Sequence, residues 1–280
     1  MEFRLLGPLE VHCTGTVLDI GGPRQRAVLA ALLLRPNALA TTDYLCDAVW
    51  SRLPASPATN LRTYIAGLRR RLREADGRHS RLRTQPGGYL LEVRTGELDT
   101  QVFEQLLAEA GTALRAGAPA TALGRLDQGL RLWRTENATS VTGGSVLQAE
   151  LTRLDELRLW AVESRCDALL ALGRHDEASV ELRRLVSHYP LREELWARLM
   201  TALVHCGRRA DALDAFMQAR KRLVEELGIE PGPQLERLRQ KVLAAGHTGP
   251  AASGDQQGER DWAGAGSRMH RPSIRLGLTT

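Results

Sequence analysis

Between Thr59 and Arg73 five arginines, Arg62, Arg69, Arg70, Arg71 and Arg73, are threaded through Leu61, Ile65, Leu68 and Leu72. At 100° per residue the four apolar side chains fall in one narrow stripe, so the segment reads as an amphipathic helix with a single buried seam. The opposite face carries Thr59, Thr63, Ala66, Gly67 and Arg70. Arg62, Arg69 and Arg73 line one flank, and Asn60, Tyr64 and Arg71 the other. Small and hydrogen-bonding residues permit close approach to base edges in a DNA major groove, and flanking guanidiniums reach the phosphates on either side. Asn60, Thr63, Gly67 and Arg70 are therefore the base-reading candidates, with Arg70 suited to guanine and Asn60 to adenine. Thr59, Arg62, Tyr64, Arg69, Arg71 and Arg73 are phosphate candidates.

An isolated helix of this kind would more simply be a solvated amphipathic helix. Its neighbours change that reading. Leu82–Leu91 reads as a β-hairpin turning at Gly87-Gly88, with Arg83 and Thr84 as further phosphate candidates and Tyr89 directed into the core. Residues 55–83 hold eight Arg against Glu74 and Asp76. A basic helix followed by a basic hairpin is the order of a winged helix-turn-helix. The elements that must hold this pair in place precede it. Residues 2–20 alternate as three short strands. Gly21-Gly22-Pro23 opens a helix to about Arg35, where Pro23 suits the first turn. Thr41-Thr42-Asp43 offers an N-cap for a second helix through Trp50, and Pro57 opens the third. Arg24 and Arg26, at the start of the first helix, either touch phosphate or are simply solvated.

After Asp99 the pattern changes to amphipathic helices near 101–115, 119–133, 147–172, 175–188, 191–206, 208–227 and 232–245, with a Thr, Ser, Asn and Gly loop over 134–146. Leu172-Gly173-Arg174 with Ala178 recurs as Cys206-Gly207-Arg208 with Ala212, a spacing of 34 residues. That is the tetratricopeptide period, with Gly at the turn and a small residue at the helix contact. Residues 247–280 read as a disordered tail. Trp160 and Trp196 are expected in packed core, with the lining of a concave ligand face as the alternative. The expected fold class is an α+β winged helix-turn-helix (1–94) followed by an all-α tetratricopeptide-like domain (99–246).

Charge agrees with this division. Residues 1–93 hold 13 Arg against 8 Asp and Glu, whereas residues 94–280 hold 25 basic and 25 acidic residues, so the whole net charge of +5 sits in the first third. A basic head on a neutral body implies a polyanion for one and a different partner for the other. Only two of the 38 basic residues are Lys, which points to a GC-rich genome and weakens arginine abundance alone as a sign of phosphate binding. Cys13, Cys46, Cys166 and Cys206 are scattered without metal-ligand spacing. Neither lysine follows a phosphate-loop glycine pattern, and no nucleophile elbow is present. No catalytic residue, metal or cofactor is expected. With neither a signal peptide nor an apolar span, and no receiver domain before the head, the expected location is the cytoplasm, at the nucleoid.

At these residues the chain resembles the Streptomyces antibiotic regulatory protein family, whose members join an OmpR-type winged helix-turn-helix to a bacterial transcriptional activator domain. The matching motifs are Gly22-Pro23-Arg24-Gln25-Arg26, Leu61-Arg62-Thr63-Tyr64-Ile65 with Leu68-Arg69-Arg70, Pro86-Gly87-Gly88-Tyr89, Ala171-Leu172-Gly173-Arg174-His175, Tyr189-Pro190-Leu191-Arg192-Glu193 and Glu225 through Pro233. The resemblance covers residues 1–245. It implies a pathway-specific activator of a secondary-metabolite gene cluster that binds tandem direct repeats of double-stranded DNA near the promoter −35 region. It also implies recruitment of the RNA polymerase holoenzyme by a homodimer or head-to-tail pair. The alternatives are a repressor using the same head, or a helical-repeat scaffold whose basic head meets another acidic partner. Two departures stand out. Residues 134–146 lack the family's usual Gly-Pro-rich pattern, and Gly67 replaces a basic base-reading side chain of some OmpR-type relatives.

Overall fold

The computed structural model describes residues 1–77, 80–139 and 141–244 and divides into two compact units, Met1–Val162 and Glu163–Thr280. In the first unit β1 (Glu2–Arg4), β2 (Glu10–Cys13) and β3 (Thr16–Val17) form an antiparallel sheet in that order. Helix α1 (Pro23–Leu33) follows, and every residue from Ala27 to Leu33 is buried. Such an all-round apolar helix sits in the middle of a core rather than on its surface. Strand β4 (Ala40–Thr41) leads into α2 (Thr42–Val49), whose N-cap Thr41 accepts the Tyr44 N–H through its hydroxyl at 3.2 Å. Helix α3 (Pro57–Asp76) and the hairpin β5 (Leu82–Gln85) and β6 (Gly88–Leu91) complete the head.

The second sheet has the antiparallel order β4-β6-β5. Strand β4 was not foreseen. Two residues carry no alternation to read, and Ala40 and Thr41 become a strand only by pairing with Tyr89 and Gly88. That pairing also divides the two turn glycines by role. Gly87, at φ 84°, makes the turn. At Gly88 a Cβ would strike the backbone of Ala40, so its bare Cα lets β4 close on β6.

Helices α4 (Asp99–Arg115) and α5 (Pro119–Leu130) and the first part of α6 (Ser145–Ala171) belong to the same compact unit as the head. One apolar core runs from Phe3, Leu5 and Leu6 through α1 to Phe103, Leu107, Leu126, Leu147 and Leu154. Phe103 meets Trp133 edge-on at 5.4 Å, and half-buried Trp160 packs against the same core. The first compact unit therefore includes α4, α5 and the start of α6 as well as the head. Asp99 is the fastener. Its carboxylate accepts the N–H groups of Leu5 at 2.8 Å and Leu6 at 2.9 Å. The 134–146 loop is a second one. Within it Arg134 N–H donates to Leu6 O, Thr139 N–H to Leu5 O and Gly144 N–H to Ala48 O. A Cβ on Gly144 would run into the backbone carbonyl of Asp47.

The second unit holds α7 (His175–His188), α8 (Glu193–His205), α9 (Arg209–Leu227) and α10 (Pro233–Ala244). The 34-residue period is a structural one. Gly173 and Gly207 adopt φ of 72° and 73°, Ala178 and Ala212 are fully buried, and Arg174 pairs with Glu177 as Arg208 does with Asp211. Trp196 is buried with its indole N–H donating to Pro190 O at 2.8 Å. It also lines, with Arg183, Leu199 and Asp214, a groove of about 620 Å³. The expected tail over 247–280 lies outside the described residues. Among the described residues no helix is long and apolar enough to cross a membrane, and no group of His, Cys, Asp or Glu side chains is arranged to hold a metal ion.

Candidate nucleic-acid interface

Helix α3 is held by its seam: Leu61 and Leu68 are wholly buried, and Ile65 and Leu72 nearly so. Each contributes about 1.5–3 kcal/mol by leaving water, which fixes the helix's rotation and hence what it shows outward. The face turned to solvent carries Thr59, Arg62, Thr63, Ala66, Arg70 and Arg73, all exposed. Thr63 donates its hydroxyl to the Thr59 carbonyl at 3.1 Å, leaving its oxygen lone pairs outward. Arg62, Arg70 and Arg73 have no ion-pair or hydrogen-bond partner among the described residues. Asn60 is half-buried at the edge of this face. Three unneutralised guanidiniums on one exposed face attract a polyanion and make its binding salt-dependent.

Several other arginines assigned to phosphate are engaged within the protein. Arg24 donates to Val49 O at 2.6 Å and Arg26 to Leu9 O at 2.5 Å, tying the start of α1 to the end of α2 and to the first sheet. Arg69 straps the hairpin to α3, donating from Nε to Leu82 O at 2.9 Å and from Nη2 to Thr84 Oγ1 at 2.8 Å. Arg71 lies 3.9 Å from the Asp19 carboxylate, and Arg83 pairs across the wing with Glu92 at 2.8 Å. Tyr64 is half-buried against Trp50, ring centroids 6.1 Å apart. Tyr89 is buried, in line with its expected core role.

Gly67 is half-buried rather than fully exposed: the Gln25 carboxamide lies over it, and a Cβ at this position would land on Gln25 Nε2, with Arg71 Nη1 3.4 Å away. The helical wheel puts residue 67 on the outward side of α3, but it cannot see a side chain arriving from another helix.

Sequence reasoning also missed Arg81. This guanidinium is 5% exposed, between Asp76 Oδ2 at 2.5 Å and Glu97 Oε2 at 2.5 Å. The Arg81 hydrogen bond holds the Asp76 carboxyl below the usual carboxylate range. Burial pushes Glu97 up, but hydrogen bonds from Arg81 and the Arg94 N–H outweigh it and hold Glu97 low as well. The network joins the end of α3, the base of the wing and the approach to α4. Its partners lie 5 and 16 residues away, at no helical or strand period, so no local pattern marks it.

Family comparisons agree with this geometry. Residues 20–91 match the family described as "Transcriptional regulatory protein, C terminal", and residues 98–243 match the "Bacterial transcriptional activator domain". The regulatory protein DnrI of Streptomyces peucetius is 38% identical over 252 residues, covering 88% of this chain and 93% of that protein. The regulatory protein AfsR of Streptomyces griseus is 39% identical over 246 residues, 88% of this chain but only 25% of the longer relative. Among solved structures, Mycobacterium tuberculosis EmbR in complex with a low affinity phosphopeptide superposes with a TM-score of 0.77 at 29% identity, covering 95% of this chain and 68% of that one. A winged helix-turn-helix head followed by tetratricopeptide-like helices, with these two family matches along its length, makes the chain a DNA-binding transcriptional regulator rather than an enzyme, and it belongs to the Streptomyces antibiotic regulatory protein family.

Proposed function

We propose that this protein is a sequence-specific activator of a secondary-metabolite biosynthetic gene cluster, acting in the cytoplasm at the nucleoid. Two copies bind tandem direct repeats near the −35 region, head to tail, and bring RNA polymerase holoenzyme to the promoter. The observation that carries the reading is the exposed face of α3, where Arg70 shares the outward side with Arg62, Thr63 and Arg73 and has no partner among the described residues. A bidentate Arg70–guanine contact discriminates by about 1–3 kcal/mol. Arg62 and Arg73, placed on phosphates, each contribute about 0.9 to the slope of log affinity against log salt. Direct repeats read by identical heads have centres about one helical turn, or a multiple, apart on one face of the duplex.

The test is genome-wide immunoprecipitation of the tagged protein from its own host, beside an Arg70→Ala variant, with transcript levels measured in a deletion strain. Sharp peaks over tandem repeats upstream of one biosynthetic cluster, lost in the variant and accompanied by fallen transcripts in the deletion strain, are the expected result. Peaks with risen transcripts make the protein a repressor. Diffuse enrichment, unchanged by Arg70→Ala, overturns sequence-specific control by this helix and favours a scaffold whose basic head meets another acidic partner.

A further inference from the structure

The stretch Gly22-Pro23-Arg24-Gln25-Arg26 distributes its polar side chains unequally. Arg24 and Arg26 turn back onto the carbonyls of Val49 and Leu9. Gln25, between them, reaches across to α3 and lies over Gly67. Two glycines make room for it: a Cβ on Gly21 would strike Gln25 Oε1, and one on Gly67 would strike Gln25 Nε2. The carboxamide is oriented, because Oε1 accepts the Gly22 N–H at 3.3 Å. That leaves both Nε2 hydrogens without an acceptor among the described residues. They sit where a residue-67 side chain would begin, one helical turn beyond Thr63 and close to the Arg71 guanidinium.

We infer that Gln25 serves as the missing side chain of position 67 and donates from Nε2 to an acceptor on the DNA duplex. This rests on α3 being the DNA-reading helix. A carboxamide is the appropriate group because it presents two N–H donors and no charge, and base edges and phosphates alike offer acceptors. Gln25 is held by its own helix, its Oε1 capping α1 at the Gly22 N–H, so the donor is positioned from α1 while its amide lies over Gly67 of α3.

The experiment measures affinity of the full-length chain for its operator and for an unrelated duplex across a salt series, with thermal unfolding in parallel. Gln25→Ala is expected to weaken operator binding about 5- to 20-fold with little change in unfolding temperature. A loss confined to the operator assigns a base edge, and an equal loss on both duplexes assigns a phosphate. The control for a merely structural role is Gln25→Ala with Gly67→Gln, which returns a carboxamide to the same place from α3. It is expected to recover a large part of the lost affinity. Binding by Gln25→Ala within twofold of the parent overturns the inference. So does a double variant that remains folded and binds no better than Gln25→Ala. Arg70→Ala on the same duplexes separates the two readings: if it weakens binding and Gln25→Ala does not, only the Gln25 contact fails, and if neither does, the α3 reading itself fails.

Discussion

Replacing Arg81 with Met keeps most of the side chain's volume and removes its charge, leaving Asp76 and Glu97 facing an apolar stem. Their carboxylates are 19% and 13% exposed, so solvent offers little compensation. Breaking a buried ion pair by deleting one partner typically costs about 3–5 kcal/mol, because the stranded charge remains. In a unit of this size that corresponds to a fall of roughly 6–20 °C in unfolding temperature at neutral pH. The pH dependence provides a second, independent readout. Asp76 and Glu97 both have folded-state pKa values below their ordinary ones. Their contribution is therefore complete above the ordinary carboxylate range and is lost as pH falls through the depressed folded values. The Arg81→Met variant lacks that contribution at every pH. Parent and variant should thus differ most above about pH 5 and converge as pH falls below the ordinary carboxylate range. Urea unfolding of both proteins at intervals from pH 3 to pH 7 measures this directly. A variant as stable as the parent at pH 7, or a gap that does not narrow in acid, would refute the assignment of a stabilising role to this network.

Two further predictions concern how the head is braced. Arg69→Ala removes the bonds to Leu82 O and Thr84 Oγ1. Amide hydrogen exchange over residues 82–85 should quicken while residues 101–110 of α4 remain as protected as in the parent; equal protection of β5 would show that the strap is not needed. Gly144→Ala places a methyl group against the carbonyls of Asp47 and Trp50 and should lower stability by about 1–3 kcal/mol through a forced backbone shift, seen as a lower unfolding temperature. An unchanged value would mean that the loop relaxes freely.

Much of this architecture was legible because it is local. The α3 seam, the N-cap at Thr41, the turn at Gly87 and the 34-residue period each declare themselves within a few residues or by exact recurrence. What was not legible depends on chain segments that meet only after folding. Nothing near Arg24 or Arg26 announces that each will find a carbonyl 25 or 17 residues away, and an arginine pattern looks the same whether it faces phosphate or a helix end. Gly67 lay on the outward side of the wheel, yet its cover comes from α1. Strand β4 exists only through its partner. The boundary near residue 94, read from a change of periodicity, lies in the gap between the two family matches at 20–91 and 98–243; what periodicity does not record is that Phe103 and Leu126 share one buried core with Phe3 and Leu5.

That shared core bears on how such regulators can be recombined. Phe3 N–H donates to Glu97 O, and the Asp99 carboxylate holds the turn after β1. A head cut after residue 94 would therefore lose the acceptors for its own first strand and bare an apolar face. A chimaera that exchanges DNA specificity between relatives needs its junction farther along, within α6 near Val162, so that α4 and α5 travel with the head as part of the transplanted piece.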